Sequence, residues 1–142
     1  MIGGQVVDLD FETHPPKDAA SLYRMVAMKT GALIRASCRI GCILGDAGPA
    51  LTERADIYAD KIGLAFQIID DILDVIGDEQ TLGKPIGSDR ESGKTTFAAL
   101  YGLDRARQIA LSLTEEAKAA LQEIPGSEEL LLLADRLIAR TW

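Results

Sequence analysis

The sequence holds only two cysteines, Cys38 and Cys42, and a single histidine, His14. The cysteines sit four apart on a predicted helix, far in sequence from that histidine, and lack the further soft ligands a zinc-type site requires. They are expected to be small, reduced core residues. Aromatic residues make up only 5% of the chain while Ala, Leu and Ile abound, which favours helix over sheet. No apolar run approaches the roughly 20 residues of a membrane span. The start, MIGGQVVDLD, has neither the basic region nor the long apolar segment of a secretory leader, so a cytoplasmic protein is expected. Positive charge is scarce too: 15 Lys and Arg stand against 22 Asp and Glu, a formal net charge of −7. Nucleic acid is therefore not the default partner, and an anionic ligand would need a local basic cluster or metal ions.

What is present suits one helical domain. Hydrophobic residues are 47% of 142, enough for a modest core. Residues 1–13 read as the tail of an earlier helix. Pro15 and Pro16, followed by Lys17 and Asp18, mark a helix start, and helix-compatible sequence runs from there to about residue 44. Gly45-Asp46-Ala47-Gly48-Pro49 breaks it, and a second long helix is predicted over residues 50–76. The stretch GDEQTLGKPIGSDRESGKTT has no apolar periodicity, and residues 77–94 read as a long, functional loop. A third helix is predicted over residues 96–123 and a fourth from Ser127 onward. No strand pattern is convincing, and the fold class is all-α.

The stretch FQIIDDILDV places Asp70, Asp71 and Asp74 inside an apolar run. At about 100° per residue, Asp74 lies near 40°, Gln67 near 60° and Asp71 near 100° from Asp70, while Ile68, Ile69, Ile72, Val75 and Ile76 take the opposite side. Gly63, one turn before Gln67, would leave room on the polar stripe. Two explanations stand open. The acids form an ordinary solvated face, or their mutual repulsion is relieved by a hard cation such as Mg²⁺, which takes one or two carboxylates and completes its shell with water and phosphate oxygens. Asp-Asp-x-x-Asp is then a clamp for a metal-bridged diphosphate. Such a site also needs cations. Lys29, followed by Thr30, lies among Met25, Met28 and Leu33, where it either snorkels or serves a ligand. Lys84 and Lys94 each follow a glycine in the loop, which is either a flexible solvated segment or one that folds closely over phosphate oxygens. The string SGKTT is not a P-loop, because Ser88 stands where the motif needs glycine and no strand precedes it. Asp8 and Asp10 are expected to be exposed and uninformative.

Taken in order, GGQVVDLD, KTGALI at 29–34, GLAFQIIDDILDV at 63–75 and GKPIGSDRESGKTT at 83–96 resemble the C-terminal half of a trans-isoprenyl diphosphate synthase, the farnesyl and geranylgeranyl diphosphate synthase family, over essentially the whole chain. The resemblance implies an all-α, isoprenoid-synthase-type bundle, of which residues 1–142 are the C-terminal part of a single domain. It implies Mg²⁺-dependent condensation of an allylic diphosphate with isopentenyl diphosphate, releasing pyrophosphate. FQIIDDILD resembles the second aspartate-rich motif, so Asp70 would ligate Mg²⁺, with Asp71 and Asp74 in support. Lys29, Lys84 and Lys94 would bind the departing diphosphate, and Thr30 and Gln67 would contact it or line the cavity. Asp70, Lys29 and Lys84 are the expected catalytic residues. The family's first aspartate-rich motif and its isopentenyl diphosphate-binding residues are not in this sequence. The isolated chain is therefore expected to be inactive and to associate with a second copy or with a missing N-terminal half. The alternatives are a non-catalytic remnant or subunit that keeps the fold, and a terpene cyclase relative.

Overall fold

The computed structural model describes residues 1–16, 18–76 and 94–139, and every regular element among them is helical. In order these are α1 (Ile2–Thr13), α2 (Ala19–Val26), a π-helical turn (Ala27–Gly31), α3 (Ala32–Leu44), α4 (Pro49–Ile76), α5 (Phe97–Tyr101), α6 (Leu103–Leu121) and α7 (Glu128–Ile138). The all-α expectation holds. Asp18 caps α2 by accepting a hydrogen bond from the Ser21 amide at 2.8 Å.

Two expected helices are subdivided. The one read over residues 18–44 widens into a π turn at Lys29 and Thr30, and periodicity alone gives no sign of that extra residue. The one read over 96–123 is interrupted after a single short helix. Thr96 caps α5 through a 3.1 Å bond from the Ala99 amide, and Gly102 then turns the chain at φ 76°, a region costly for any residue with a Cβ. Ser127 donates its hydroxyl to the Leu121 carbonyl at 2.9 Å, satisfying the open end of α6.

The core forms around α4. Its buried Ala55, Tyr58, Ile62, Ala65, Ile69 and Ile72 recur at alternating steps of three and four. On α6, Ala106, Ala110, Leu113, Ala117 and Leu121 present a matching stripe, and the alanines let the two helices approach closely. The Tyr58 hydroxyl donates to the Leu130 carbonyl at 2.8 Å, tying α7 to α4. Burial pushes that phenol up to about 12, so it stays a neutral donor.

Several expectations are corrected here. Because α4 is covered by α2, α5 and α6 as well as by α3, a single polar stripe does not describe it. Asp71 and Asp74 are only 4% and 2% exposed, while Val75 and Ile76, placed on the expected apolar side, lie open. The solvated acidic face therefore fails for those two carboxylates. Cys38 and Cys42 are half-buried on the outer helix α3, which carries no fully buried residue. Cys38 still packs against the core around Tyr58 and Ile62, so only Cys42 departs from the expected core position. Both cysteines line an apolar groove of about 640 Å³.

Gly63 does not leave open room either. It is buried, and a Cβ there would lie 3.0 Å from the Gly31 Cα. Gly4 of α1 is tighter still, since its Cβ would fall 2.3 Å from the Lys29 backbone nitrogen. The π turn is thus held between α1 and α4 at two glycine contacts. Gly4→Ala should cost about 1–3 kcal/mol, because backbone rather than a flexible side chain must move. Gly41→Ala, in an exposed part of α3 with nothing within 4 Å, should instead stabilise by about 0.5–1 kcal/mol. Urea denaturation of both variants checks this, and a neutral Gly4→Ala would show that the contact is not rigid.

Candidate functional site

The close approach of α1, the π turn and α4 leaves a cleft of about 320 Å³ at their junction with the segment leading into α5. Residues far apart in sequence meet on its walls: Lys29 and Thr30 from the π turn, Gln67, Asp70 and Asp71 from α4, and Lys94 ahead of α5. Six of the residues expected to act together are therefore brought together. Asp74, one turn beyond Asp70, is buried and contributes nothing to the lining. Lys84 lies outside the described residues.

Hydrogen bonds link these walls. Thr30 Oγ1 donates to Gln67 Oε1 at 3.2 Å, and Gln67 Nε2 donates to Asp71 Oδ1 at 3.0 Å. The other oxygen of Asp71 accepts the Phe97 amide at 2.8 Å. This amide belongs to the first turn of α5, where the helix leaves backbone donors open and favours a negative charge. One buried carboxylate thus joins α4 to α5 and fixes the Gln67 amide, which in turn orients the Thr30 hydroxyl. The Tyr23 and Phe97 rings pack edge to face with centroids 4.9 Å apart, backing this junction with apolar surface.

The lysines are held by an acid the sequence reading set aside. Asp8 of α1 is 6% exposed, and its Oδ2 lies 2.5 Å from Lys29 Nζ and 3.6 Å from Lys94 Nζ. Lys94 also pairs with Glu12 at 3.6 Å. Lys29 does not snorkel to solvent, and Asp8 is not an exposed acid. A signal for this was present. Gly4 and Asp8 are four apart on α1, so the face that permits backbone contact with Lys29 also carries the carboxylate that pairs with it. Asp10, by contrast, is exposed and bonds only locally, to His14 at 3.0 Å.

Beside the polar cleft runs an apolar groove of about 570 Å³, bordered by Ile2, Leu33 and Ile34 and sharing Lys29, Thr30 and Phe66 with the cleft. A charged pocket opening into an apolar channel suits a ligand with an anionic head and a hydrocarbon tail. Apart from the Met25 thioether, the donors lining the cleft are hard oxygens and nitrogens. Among the described residues, no group of three or more His, Cys, Asp and Glu is arranged to hold a metal ion unaided. Two carboxylates sharing an ion with water and phosphate oxygens is nonetheless the ordinary habit of Mg²⁺, so Asp70 and Asp71 fit that ion better than a soft one.

Residues 1–129 match the polyprenyl synthetase family. The chain is 47% identical to the farnesyl diphosphate synthase of Escherichia coli over 99% of its own length and 48% of that protein's. The crystal structure of a geranyltransferase from Helicobacter pylori complexed with magnesium and isoprenyl diphosphate superimposes with a TM-score of 0.78 at 33% identity, over 99% of this chain and 46% of the other. The heptaprenyl diphosphate synthase of Staphylococcus aureus shares the fold, with a TM-score of 0.92 at 22% identity, over 99% and 56%. The chain thus spans about half the length of the relatives it matches.

If Asp71 braces the site, Asp71→Ala should leave the Phe97 amide buried without its acceptor and cost about 1–3 kcal/mol. Thermal unfolding gives the loss, and hydrogen exchange should show protection falling first at the Phe97 amide. Unchanged exchange at that amide would refute the bracing role.

Proposed function

This chain belongs to the polyprenyl synthetase family, and from that premise we propose that it carries the diphosphate-binding half of a prenyltransferase active site in isoprenoid biosynthesis. The reaction is the condensation of an allylic diphosphate with isopentenyl diphosphate. The allylic C–O bond breaks, the allylic carbon is bonded to the terminal alkene carbon of isopentenyl diphosphate, and a proton and pyrophosphate leave. One observation carries this reading: Lys29, Thr30, Gln67, Asp70, Asp71 and Lys94 converge on a single cleft that opens beside an apolar groove.

Each side chain has a task in that reaction. Lys29 and Lys94 face the oxygens on which negative charge grows as the C–O bond lengthens, and fixed cations stabilise that charge more than they stabilise the bound substrate. Thr30, oriented through Gln67, supplies a hydroxyl at the same wall. Asp70 and Asp71 would hold Mg²⁺, with Asp74 supporting them from the buried side of α4, and Lys84 would close over the diphosphate. When bound, the ion supplies Lewis-acid stabilisation of the leaving diphosphate. Support for Mg²⁺ comes from the oxygen-rich donor set and from the Helicobacter relative, which was crystallised as a magnesium and isoprenyl diphosphate complex. The apolar groove would receive the prenyl tail.

We further read the 142 residues as the C-terminal part of one synthase domain working in the cytoplasm. Exposed apolar stripes on α1 (Ile2, Val6, Leu9) and α3 (Leu33, Ile40, Ile43, Leu44) favour association, with a second copy or with helices corresponding to the remaining length of its relatives. Among the described residues, no helix is long and apolar enough to cross a membrane.

Calorimetric titration of the chain with a bisphosphonate mimic of the diphosphate tests the half-site directly. Binding should require Mg²⁺ and weaken by roughly tenfold or more in Asp70→Asn, as expected for loss of a metal-holding carboxylate. Equal binding with and without Mg²⁺, or an unaltered Asp70→Asn, would refute the metal-bridged reading.

A further inference from the structure

Among the described residues, the two ammonium groups lining the cleft, those of Lys29 and Lys94, already face carboxylates of α1. Asp8 Oδ2 lies 2.5 Å from Lys29 Nζ and 3.6 Å from Lys94 Nζ, so a single oxygen holds both cations. We propose that Asp8 is a specificity-determining residue of the cleft: by neutralising Lys29 and Lys94 it makes the site accept a diphosphate with its divalent cation and reject the free anion. This rests on the diphosphate reading above.

The physical basis is competition for the same cations. A free pyrophosphate carries several negative charges and needs cations to balance them. It could reach Lys29 and Lys94 only by drawing them from a carboxylate that is 6% exposed, and that carboxylate would then be left buried without its counter-charges. A divalent cation bound with the diphosphate would carry part of that balance, and the diphosphate would no longer need the lysines' full charge. Glu12 contributes less, since its side chain is 34% exposed and it faces Lys94 alone. The Arg35–Arg39–Asp56 cluster offers an internal control, because Asp56 also neutralises two cations but lies outside this cleft.

Inorganic pyrophosphate, titrated into the 142-residue chain in EDTA and again in Mg²⁺, decides the matter. Metal-free affinity should rise about tenfold in Asp8→Asn. It should stay at the wild-type level in Asp8→Glu and in Asp56→Asn, and the gain should vanish when Asp8→Asn is combined with Lys29→Gln and Lys94→Gln. A purely structural Asp8 could only lose binding on substitution, so a gain separates the two roles. A folded Asp8→Asn with unchanged or weaker metal-free binding overturns the assignment. Far-UV circular dichroism establishes folding first, and Asp8→Ser replaces Asp8→Asn if the latter is unfolded. Failure of both to fold would overturn the assignment by making Asp8 a requirement of the fold. A wild-type chain that binds pyrophosphate under neither condition overturns the diphosphate reading itself. Binding only with Mg²⁺, with the metal dependence unaltered in Asp8→Asn, overturns this inference alone.

Discussion

The site depends on how closely three backbones meet at the Lys29 turn. Gly4 brings α1 against the Lys29 backbone, and Gly63 brings α4 against Gly31, so the π turn is confined from two sides. A π turn is intrinsically poorer than an α turn and persists where its surroundings over-determine it. Here those surroundings are the two glycine contacts, the Asp8–Lys29 ion pair and the Thr30–Gln67 hydrogen bond. Confinement fixes where the Lys29 ammonium and the Thr30 hydroxyl point, and that preorganisation is what a site stabilising developing charge requires.

Asp71 extends the same constraint across the chain. Its two oxygens connect the Gln67 amide to the start of α5, so the elements flanking residues 77–93 are joined by one buried side chain. A carboxylate with both oxygens engaged in this way acts as a brace. The DDxxD pattern therefore distributes its work unevenly. Asp70 is half-buried on the cleft wall, Asp71 ties the wall together, and Asp74 sits behind it.

Much of this arrangement was legible in the sequence, for particular physical reasons. Helix α4 is long and strongly periodic, so its position follows from a 3.6-residue repeat, although the single polar face which that repeat predicts does not hold for Asp71 and Asp74. The grouping of Lys29, Gln67, Asp70 and Lys94 followed from the order of motifs characteristic of the family, because no local pattern predicts that residues 29 and 94 meet. Three features lay beyond either route. The π turn is imposed by tertiary contacts with α1 and α4, and Gly102 breaks a run that is helical by propensity. Asp8 looks like any surface acid until the glycine four residues before it is recognised as a contact point. Cys42 misled in the opposite direction, since a small apolar-like residue was expected inside but it lies on the outer helix α3, whereas Cys38 on the same helix does pack against the core.

Lys29, Thr30 and Phe66 border both the polar cleft and the apolar groove, so they form the seam between a head site and a tail site. In the proposed reaction the bond that breaks joins those two parts of the substrate, and it would lie at that seam. A cation and a hydroxyl on the polar side would meet the leaving oxygen, while aliphatic walls on the other side give an allylic carbocation nothing nucleophilic to react with. Water is the competitor in such chemistry, and with Ile2 84% and Leu33 54% exposed the groove excludes it only once the apolar stripes of α1 and α3 are covered. The glycine contacts matter for this reason as well. Loosening α1 would displace Lys29 and also open the groove wall that Ile2 provides, uncoupling charge stabilisation from the exclusion of water.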